Sequence, residues 1–394
     1  MQTSQAGSRY PISTLSTLEM RLLLLCPLYP PVTGGAELQA QRLARALDSR
    51  GVRVTIMTRS LRGELMCESD GGIRVVRGLS GVHLGPLWGL TYMWSAGRWL
   101  RRIADAWDIV QNQQVGLHSW VSVRVARQLR RPSVLRFACS GEGGDLAMMK
   151  THRFGRRLVD GLRAANAYVA LTAQGASEIA AHGLPARQVI TIPNGVDLER
   201  FKSLQWPTLA QSEPLRLLFV GRLARQKGLD VLLGALATLR DRIAFKLRVV
   251  GEGDERDRLC GQAHQAGLGG HVEFRGHSAD ITQDYAWCEI LVMPSRFEGM
   301  PNVALEALSS GRPVLGSRVG GITELVAPGV NGWLVPGEDA DALAGSIARM
   351  ALQRDELRIM GREGRRIVEE RYSLDASAAQ YLRLYERLLT ERRR

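Results

Sequence analysis

Short apolar runs alternate with amphipathic stretches along almost the whole chain. In the first half the apolar runs are residues 21–26, 52–58, 73–77, 108–113, 133–138, 167–172 and 189–193. Turn residues bound them, so each reads as a buried strand. Apolar positions at helical spacing lie between most of them, as in residues 36–50, 116–129 and 174–182. A polar stretch that contains prolines, 197–214, interrupts the alternation. It then restarts with strands at 215–221, 246–251, 271–276, 289–295 and 313–317, and with helices such as 228–239 and 255–266. Three amphipathic helices, about 340–350, 355–371 and 374–390, end the chain. Strand–helix alternation on this scale predicts an α/β fold with parallel sheets covered on both faces. Two such blocks meeting near residue 200 predict two doubly wound Rossmann-like domains facing across a cleft. The expected units are 19–200, 201–373 and a terminal helix, 374–394, that returns to the first domain. Residues 1–18 are polar and expected to be loose.

Composition sharpens this picture. At 394 residues the chain exceeds one ordinary core, and 42 glycines suit an α/β protein with many tight turns. No apolar run approaches the roughly 18 residues of a spanning helix. The five cysteines, Cys26, Cys67, Cys139, Cys260 and Cys288, show no metal-ligand spacing and read as reduced thiols of a cytosolic protein. Net charge is uneven: residues 1–203 hold 26 Lys and Arg against 14 Asp and Glu, whereas residues 204–394 hold 26 against 25. The basic excess of the first half implies an acidic partner there, such as nucleic acid, an anionic membrane or a phospholipid.

The densest chemistry lies in Phe297-Glu298-Gly299-Met300-Pro301-Asn302-Val303-Ala304-Leu305-Glu306. Gly299 permits a tight turn, and Pro301 suits the start of a helix because its missing N–H would be unpaired there. The unpaired N–H groups at the helix start and the positive end of the helix dipole then make an anion site. Eight positions along a helix axis span roughly 12 Å, about a sugar–diphosphate–ribose, with Glu298 and Glu306 as hydroxyl acceptors at its two ends. Strands on both sides place this loop at a sheet's C-terminal edge, where open α/β sheets bind ligands. In Val220-Gly221-Arg222-Leu223-Ala224-Arg225-Gln226-Lys227-Gly228, a strand ends in glycine and two separated cations follow. Gly221 lets backbone approach a ligand, while Arg222 and Lys227 can reach a diphosphate as a fork donor and a point charge.

Together these runs resemble the retaining nucleotide-sugar glycosyltransferases of family 4, whose two-Rossmann-domain architecture is called GT-B. Further matching runs are Pro30-Pro31-Val32-Thr33-Gly34-Gly35-Ala36-Glu37, Ile192-Pro193-Asn194-Gly195-Val196-Asp197 with Phe201, Pro294-Ser295, and Val319-Gly320-Gly321-Ile322-Thr323-Glu324. The resemblance implies a nucleoside-diphosphate sugar as donor and a glycan or lipid-linked acceptor. It implies no cofactor and no metal. Arg222 and Lys227 would neutralise the leaving diphosphate, Glu298 would lie beside the donor sugar, and Glu306 would bond the ribose hydroxyls. Gly34 and Gly35 would close over the diphosphate, and the N–H groups around Gly299, Met300, Asn302 and Val303 would hold the phosphates. Arg222, Lys227 and Glu298 are the expected catalytic residues.

One departure stands out. Many relatives carry His-x-His where this chain reads Gln111-Asn112-Gln113, and Gln113 can bond a sugar hydroxyl but cannot take a proton at neutral pH. His118 reads as a structural histidine of the next helix. Glu142 and Asp145, after the following strand, suit either acceptor contact or a polar turn, and Asn194 is a further candidate sugar contact. Trp88, Tyr92, Trp94, Trp99 and Trp107 near Arg98, Arg101 and Arg102 suit either a headgroup interface on the inner membrane leaflet or a core with a solvated basic face. Neither an aromatic platform nor a basic recognition helix for nucleic acid is found. The run Gly251-Glu252-Gly253-Asp254-Glu255-Arg256 lacks the third glycine of a dinucleotide site. An epimerase or a non-catalytic sugar-nucleotide-binding protein on the same fold are the competing functions.

Overall fold

A computed structural model of the chain describes residues 20–31, 34–60, 66–82, 87–139, 141, 143–151, 154–207, 210 and 212–393. The expectation for residues 1–18 lies outside them. Fourteen strands are present among the described residues. The first eight are β1 (Arg21–Leu25), β2 (Arg53–Arg59), β3 (Met66–Asp70), β4 (Ile73–Leu79), β5 (Ile109–Asn112), β6 (Ser133–Arg136), β7 (Ala167–Ala170) and β8 (Val189–Thr191). They form one sheet in the order β3-β4-β2-β1-β5-β6-β7-β8. The other six are β9 (Leu215–Val220), β10 (Phe245–Val250), β11 (Val272–Gly276), β12 (Ile290–Met293), β13 (Val314–Ser317) and β14 (Gly332–Val335), in the order β11-β10-β9-β12-β13-β14. Among the described residues only the β3–β4 pair is antiparallel. In both sheets the strand order reverses beside the first strand, between β1 and β5 and between β9 and β12. Loops beyond the C-terminal ends of those pairs are therefore where a ligand crevice belongs.

The unbroken run of leucines in β1 is explained by burial on both faces. Leu22 and Leu24 join one core cluster while Leu23 and Leu25 join the cluster on the opposite face. The same division separates Leu217 and Phe219 from Leu218 in β9. Two strands were not expected from the sequence. The polar β3, Met-Cys-Glu-Ser-Asp, has no apolar run and is an edge strand held by its hairpin to β4, whereas β14, Gly-Trp-Leu-Val, is a short apolar edge strand paired with β13.

The last helix, Leu374–Arg393, returns to the first domain as expected. Ala378, Tyr381, Leu384, Tyr385 and Leu388 share a core with Leu22 and Leu24, and the buried Tyr385 hydroxyl donates to Gln111 Oε1 at 2.6 Å. The chain thus passes between the domains twice, and the two passes are tied. Val196 N donates to Tyr372 O and Leu374 N to Val196 O, both at 2.9 Å.

Candidate functional site

The second domain builds the charged floor of the crevice from two loops. After β9, a short 3-10 turn (Arg225–Lys227) ends at Gly228 with φ of 67°. A Cβ at Gly228 would overlap the Pro294 carbonyl oxygen, so glycine lets this loop lie flush on the one that follows β12. Arg296 then staples both loops by a forked pair to Asp230, with both contacts at 2.9 Å, and by donating to Arg225 O at 2.6 Å. As a result Lys227 Nζ meets Glu298 Oε1 at 2.6 Å, and Ser295 Oγ donates to the same oxygen at 2.8 Å. Glu298 is only 6% exposed. Its charge is matched by the lysine, as a buried carboxylate requires. Arg222 remains exposed.

The helix after Glu298 runs Asn302–Ser309, with Pro301 as its N-cap, one residue later than expected. Glu298 therefore sits on the preceding loop, and the 12 Å helical spacing between the two glutamates does not apply. Gly320 and Gly321 pack beneath this loop. Gly321 N donates to Gly299 O at 2.7 Å, and a Cβ at Gly320 would overlap Glu298 O.

The first domain closes directly over these loops. Asn302 Nδ2 donates to Gly35 O at 2.7 Å, which brings the Gly34–Gly35 turn to the helix mouth. Gly299 lies so close to Ala138 O that a Cβ would overlap it. Glu306, also 6% exposed, lies one helical turn deeper. Its Oε1 accepts from Arg42 at 2.8 Å and its Oε2 from Tyr285 at 3.2 Å. Arg42 stacks over Phe201 at 5.4 Å. Sequence reasoning missed Arg42, whose partner is 264 positions away.

Asn194 is a correction. Expected at a sugar, it is buried and fully engaged by protein. Its Oδ1 accepts from Arg136 at 2.6 Å, and its Nδ2 donates to Met300 O at 3.0 Å and Asn302 Oδ1 at 2.9 Å. It brackets the two domains. For Asp145 the structure shows the second of the two expected roles, a polar turn: the carboxylate is buried and accepts from Ala138 N at 2.6 Å, clasping its own loop. Glu142 lies outside the described residues.

Gln113 follows β5 at the strand-order reversal, with its backbone N–H on Leu25 O at 3.0 Å. It lines a small recess together with Cys26, Leu28, Ala36, Glu37 and Ala40. Glu37, half-buried in the first turn of the helix Gly35–Asp48, was quoted in the sequence motif but given no role. Burial pushes its pKa up, while its own backbone N–H and the charge of Arg222 pull it down. The Glu37 carboxylate of the first domain thus feels the charge of Arg222 in the second.

His118 is 3% exposed, and its Nε2 lies 3.0 Å from Gln114 O in the helix Leu117–Gln128. Burial pushes its pKa down to about 4. Its folded pKa lies below the ordinary 6.5, so its stabilising contribution is complete above pH 6.5 and is lost as pH falls toward 4. At pH 5 the loss is about 2 kcal/mol. Asp145, pushed up to about 6 mainly by burial, acts in the opposite sense between pH 6 and 3.8. Urea unfolding at pH 7 and pH 5 isolates the histidine, since His118→Gln should lose about 2 kcal/mol less than wild type between the two. Equal losses would show that folding leaves the proton affinity of His118 unchanged.

Comparison with known proteins covers both domains. The sequence profile described as Glycosyltransferase Family 4 matches residues 33–200, and the one described as Glycosyl transferases group 1 matches residues 201–367. A GDP-mannose-dependent alpha-(1-6)-phosphatidylinositol monomannoside mannosyltransferase of Mycobacterium tuberculosis is 28% identical over 395 residues, 91% of this chain and 96% of that protein. Sucrose-phosphate synthase from Thermosynechococcus elongatus superposes with a TM-score of 0.80 at 24% identity, covering 94% of this chain and 100% of that one. Anabaena HepE in complex with UDP-glucose gives a TM-score of 0.75 at 22% identity, covering 92% and 99%. The GT-B arrangement expected from the sequence is the arrangement found.

Proposed function

The chain belongs to the group 1 glycosyl transferases of glycosyltransferase family 4, and from that premise we propose a retaining, metal-independent transfer from a UDP- or GDP-sugar to a glycan or lipid-linked acceptor. The reaction serves surface polysaccharide or glycolipid assembly at the cytoplasmic face of a membrane. One observation carries the reading: Lys227 and Glu298, 71 positions apart, meet at 2.6 Å before the mouth of the helix Asn302–Ser309. The M. tuberculosis relative is named for GDP-mannose and a phosphatidylinositol mannoside, and the Anabaena structure holds UDP-glucose. Both names fit the donor and acceptor classes proposed.

In this reading the diphosphate lies against the N–H groups of Gly299, Met300, Asn302 and Val303, between Lys227 and Arg222. Breaking the bond from anomeric carbon to phosphate leaves charge on the diphosphate. Fixed donors stabilise that charge more in the transition state than in the ground state. Glu298 holds Lys227 in place and faces the sugar, and Glu306 bonds the ribose hydroxyls alongside Arg42 and Tyr285. The acceptor hydroxyl attacks from the leaving-group face, and its proton passes to the departing phosphate. Radiolabelled UDP-, GDP- and ADP-sugars offered with membrane extract test the proposal. Transfer with the anomeric configuration kept, in the presence of EDTA, is expected; product formed without acceptor as an epimerised nucleotide sugar would overturn it.

Membrane contact rests on the helix Leu87–Arg102. Tyr92 is buried in it and Trp107 beyond it, so part of the aromatic cluster is core. Leu87, Leu90, Trp94, Arg98 and Arg101 share one exposed stripe, however, and Trp94 is 65% exposed with Arg98 over its ring at 5.4 Å. Among the described residues no helix is long and apolar enough to cross a membrane. The stripe suits a headgroup layer, where each cation contributes about 1 kcal/mol near an anionic leaflet. Co-sedimentation with phosphatidylserine-containing vesicles at low salt is expected, and a Leu90→Ser, Trp94→Ser variant should lose most of it. No sedimentation of the wild type would remove the contact.

A further inference from the structure

The helix Gly35–Asp48 of the first domain meets the helix Asn302–Ser309 of the second at Gly35 and again at Arg42. These two residues, about two turns apart, lie on one face of their helix. Gly35 O accepts from Asn302 Nδ2 at 2.7 Å, and Arg42 Nη1 donates to Glu306 Oε1 at 2.8 Å. The paired Arg42 and Glu306 side chains are only 13% and 8% exposed. Tyr285, which donates to the other carboxylate oxygen, is neutral and belongs to the second domain. Among the described residues Arg42 is therefore the only cation paired with Glu306. Drawing the domains apart would leave Tyr285 in place and remove the arginine.

We propose that Arg42 is a positioning residue that sets domain closure: the crevice shuts only with Arg42 present to neutralise Glu306. A carboxylate in water needs no counter-ion, whereas one buried alone is strongly disfavoured. Closing the domains takes Glu306 from the first condition to the second, and Arg42 arrives with the same movement. Its guanidinium also comes to lie over the ring of Phe201, at the start of the second domain, 5.4 Å from the centroid. An ion pair on an open surface would contribute little. This one is enclosed and spans two domains, so its loss acts on the balance between open and closed chains more than on the folding of either domain. The same closure seats Gly299 against Ala138 O at the phosphate loop. The consequence for turnover rests on the reading that Glu306 faces the donor ribose and that transfer takes place in the closed crevice.

Small-angle X-ray scattering of the unliganded chain reads closure, and steady-state kinetics with whichever donor proves active read its use. Arg42→Met should raise the radius of gyration above the wild-type value and lower kcat about 10²-fold, because the closed arrangement would bury Glu306 unpaired. Arg42→Lys keeps the charge and should stay compact. The Arg42→Met, Glu306→Gln double variant should return to the wild-type radius, since an amide bonded to Tyr285 can be buried without a cation. A packing defect at position 42 would not be reversed in this way. Affinity of Arg42→Met for UDP or GDP should fall by less than about tenfold, because Arg222, Lys227 and Glu306 lie in the second domain in either arrangement. Thermal unfolding confirms that each variant folds, and Arg42→Gln replaces the methionine variant if that one does not. Wild-type radius and kcat in Arg42→Met, or a double variant as expanded as the single one, would overturn the proposal. A wild-type radius with diphosphate affinity lost would make Arg42 a donor ligand and overturn it equally. If the radii follow the prediction while the wild type binds neither UDP nor GDP, closure by Arg42 stands and the functional reading falls.

Discussion

Replacing Lys227 by alanine is expected to lower kcat by about 10²–10³, the loss seen when one oxyanion donor is removed. That factor corresponds to about 3–4 kcal/mol of transition-state stabilisation. Lys227 is well placed for it, since the 2.6 Å bond to Glu298 fixes its ammonium group and Ser295 in turn fixes Glu298. Arg222→Ala should produce a kinetic loss of the same order, but the two variants should part company in stability. Lys227→Ala leaves the Glu298 carboxylate buried beside a missing cation, a break that costs several kcal/mol in interiors. Arg222 is exposed and its removal leaves no buried charge unpaired. Thermal unfolding should therefore drop for Lys227→Ala and stay at the wild-type value for Arg222→Ala, with kcat low in both. Wild-type turnover in either variant would remove that residue from the diphosphate clamp.

Gly299→Ala should cost about 10²-fold in kcat/KM with the fold intact. The obstruction is not within the second domain. It is the Ala138 carbonyl oxygen of the first domain, which a Cβ at Gly299 would overlap. Backbone at Ala138 cannot turn aside as a flexible side chain would, so the added methyl props the domains apart at the phosphate loop. A displacement near 1 Å is enough to lower the rate by about 10² when it separates reacting groups. Gly345→Ala is the control. Gly345 is exposed in the helix Ala340–Leu352, nothing lies within 4 Å of its Cβ position, and alanine there should stabilise by about 0.5–1 kcal/mol at unchanged activity. Full activity in Gly299→Ala would mean that the closed contact plays no part in turnover.

How much of this was legible in the sequence depended on whether a signal was local. Strands buried on both faces, such as Arg21–Leu25 and Leu215–Val220, announce themselves as continuous apolar runs. The glycine-rich turn at Gly34 and Gly35 and the Lys227 and Glu298 loops were readable because turn residues and charges cluster within a few positions. Arg42, Arg136 and Arg296 left no such trace, because an arginine bonded across 264, 58 or 66 positions looks like any surface arginine. The same gap explains Asn194 and Asp145. A polar residue in a motif invites a ligand role, and only the fold reveals that Arg136, Met300 and Asn302, or the backbone of Ala138, already occupy it. The polar edge strand Met66–Asp70 was hidden for the converse reason: hydrogen bonds to its neighbour hold it, with little burial for a pattern to show.

The most direct measurement is calorimetric titration of UDP and GDP, beside uridine and guanosine, into the wild type and an Arg222→Ala, Lys227→Ala double variant in EDTA. One or both diphosphates should bind the wild type at least about 10²-fold more tightly than the matching nucleosides. This advantage should shrink with added salt and disappear in the double variant. Equal binding of nucleoside and diphosphate, or a diphosphate advantage that survives the loss of both cations, would contradict the diphosphate clamp.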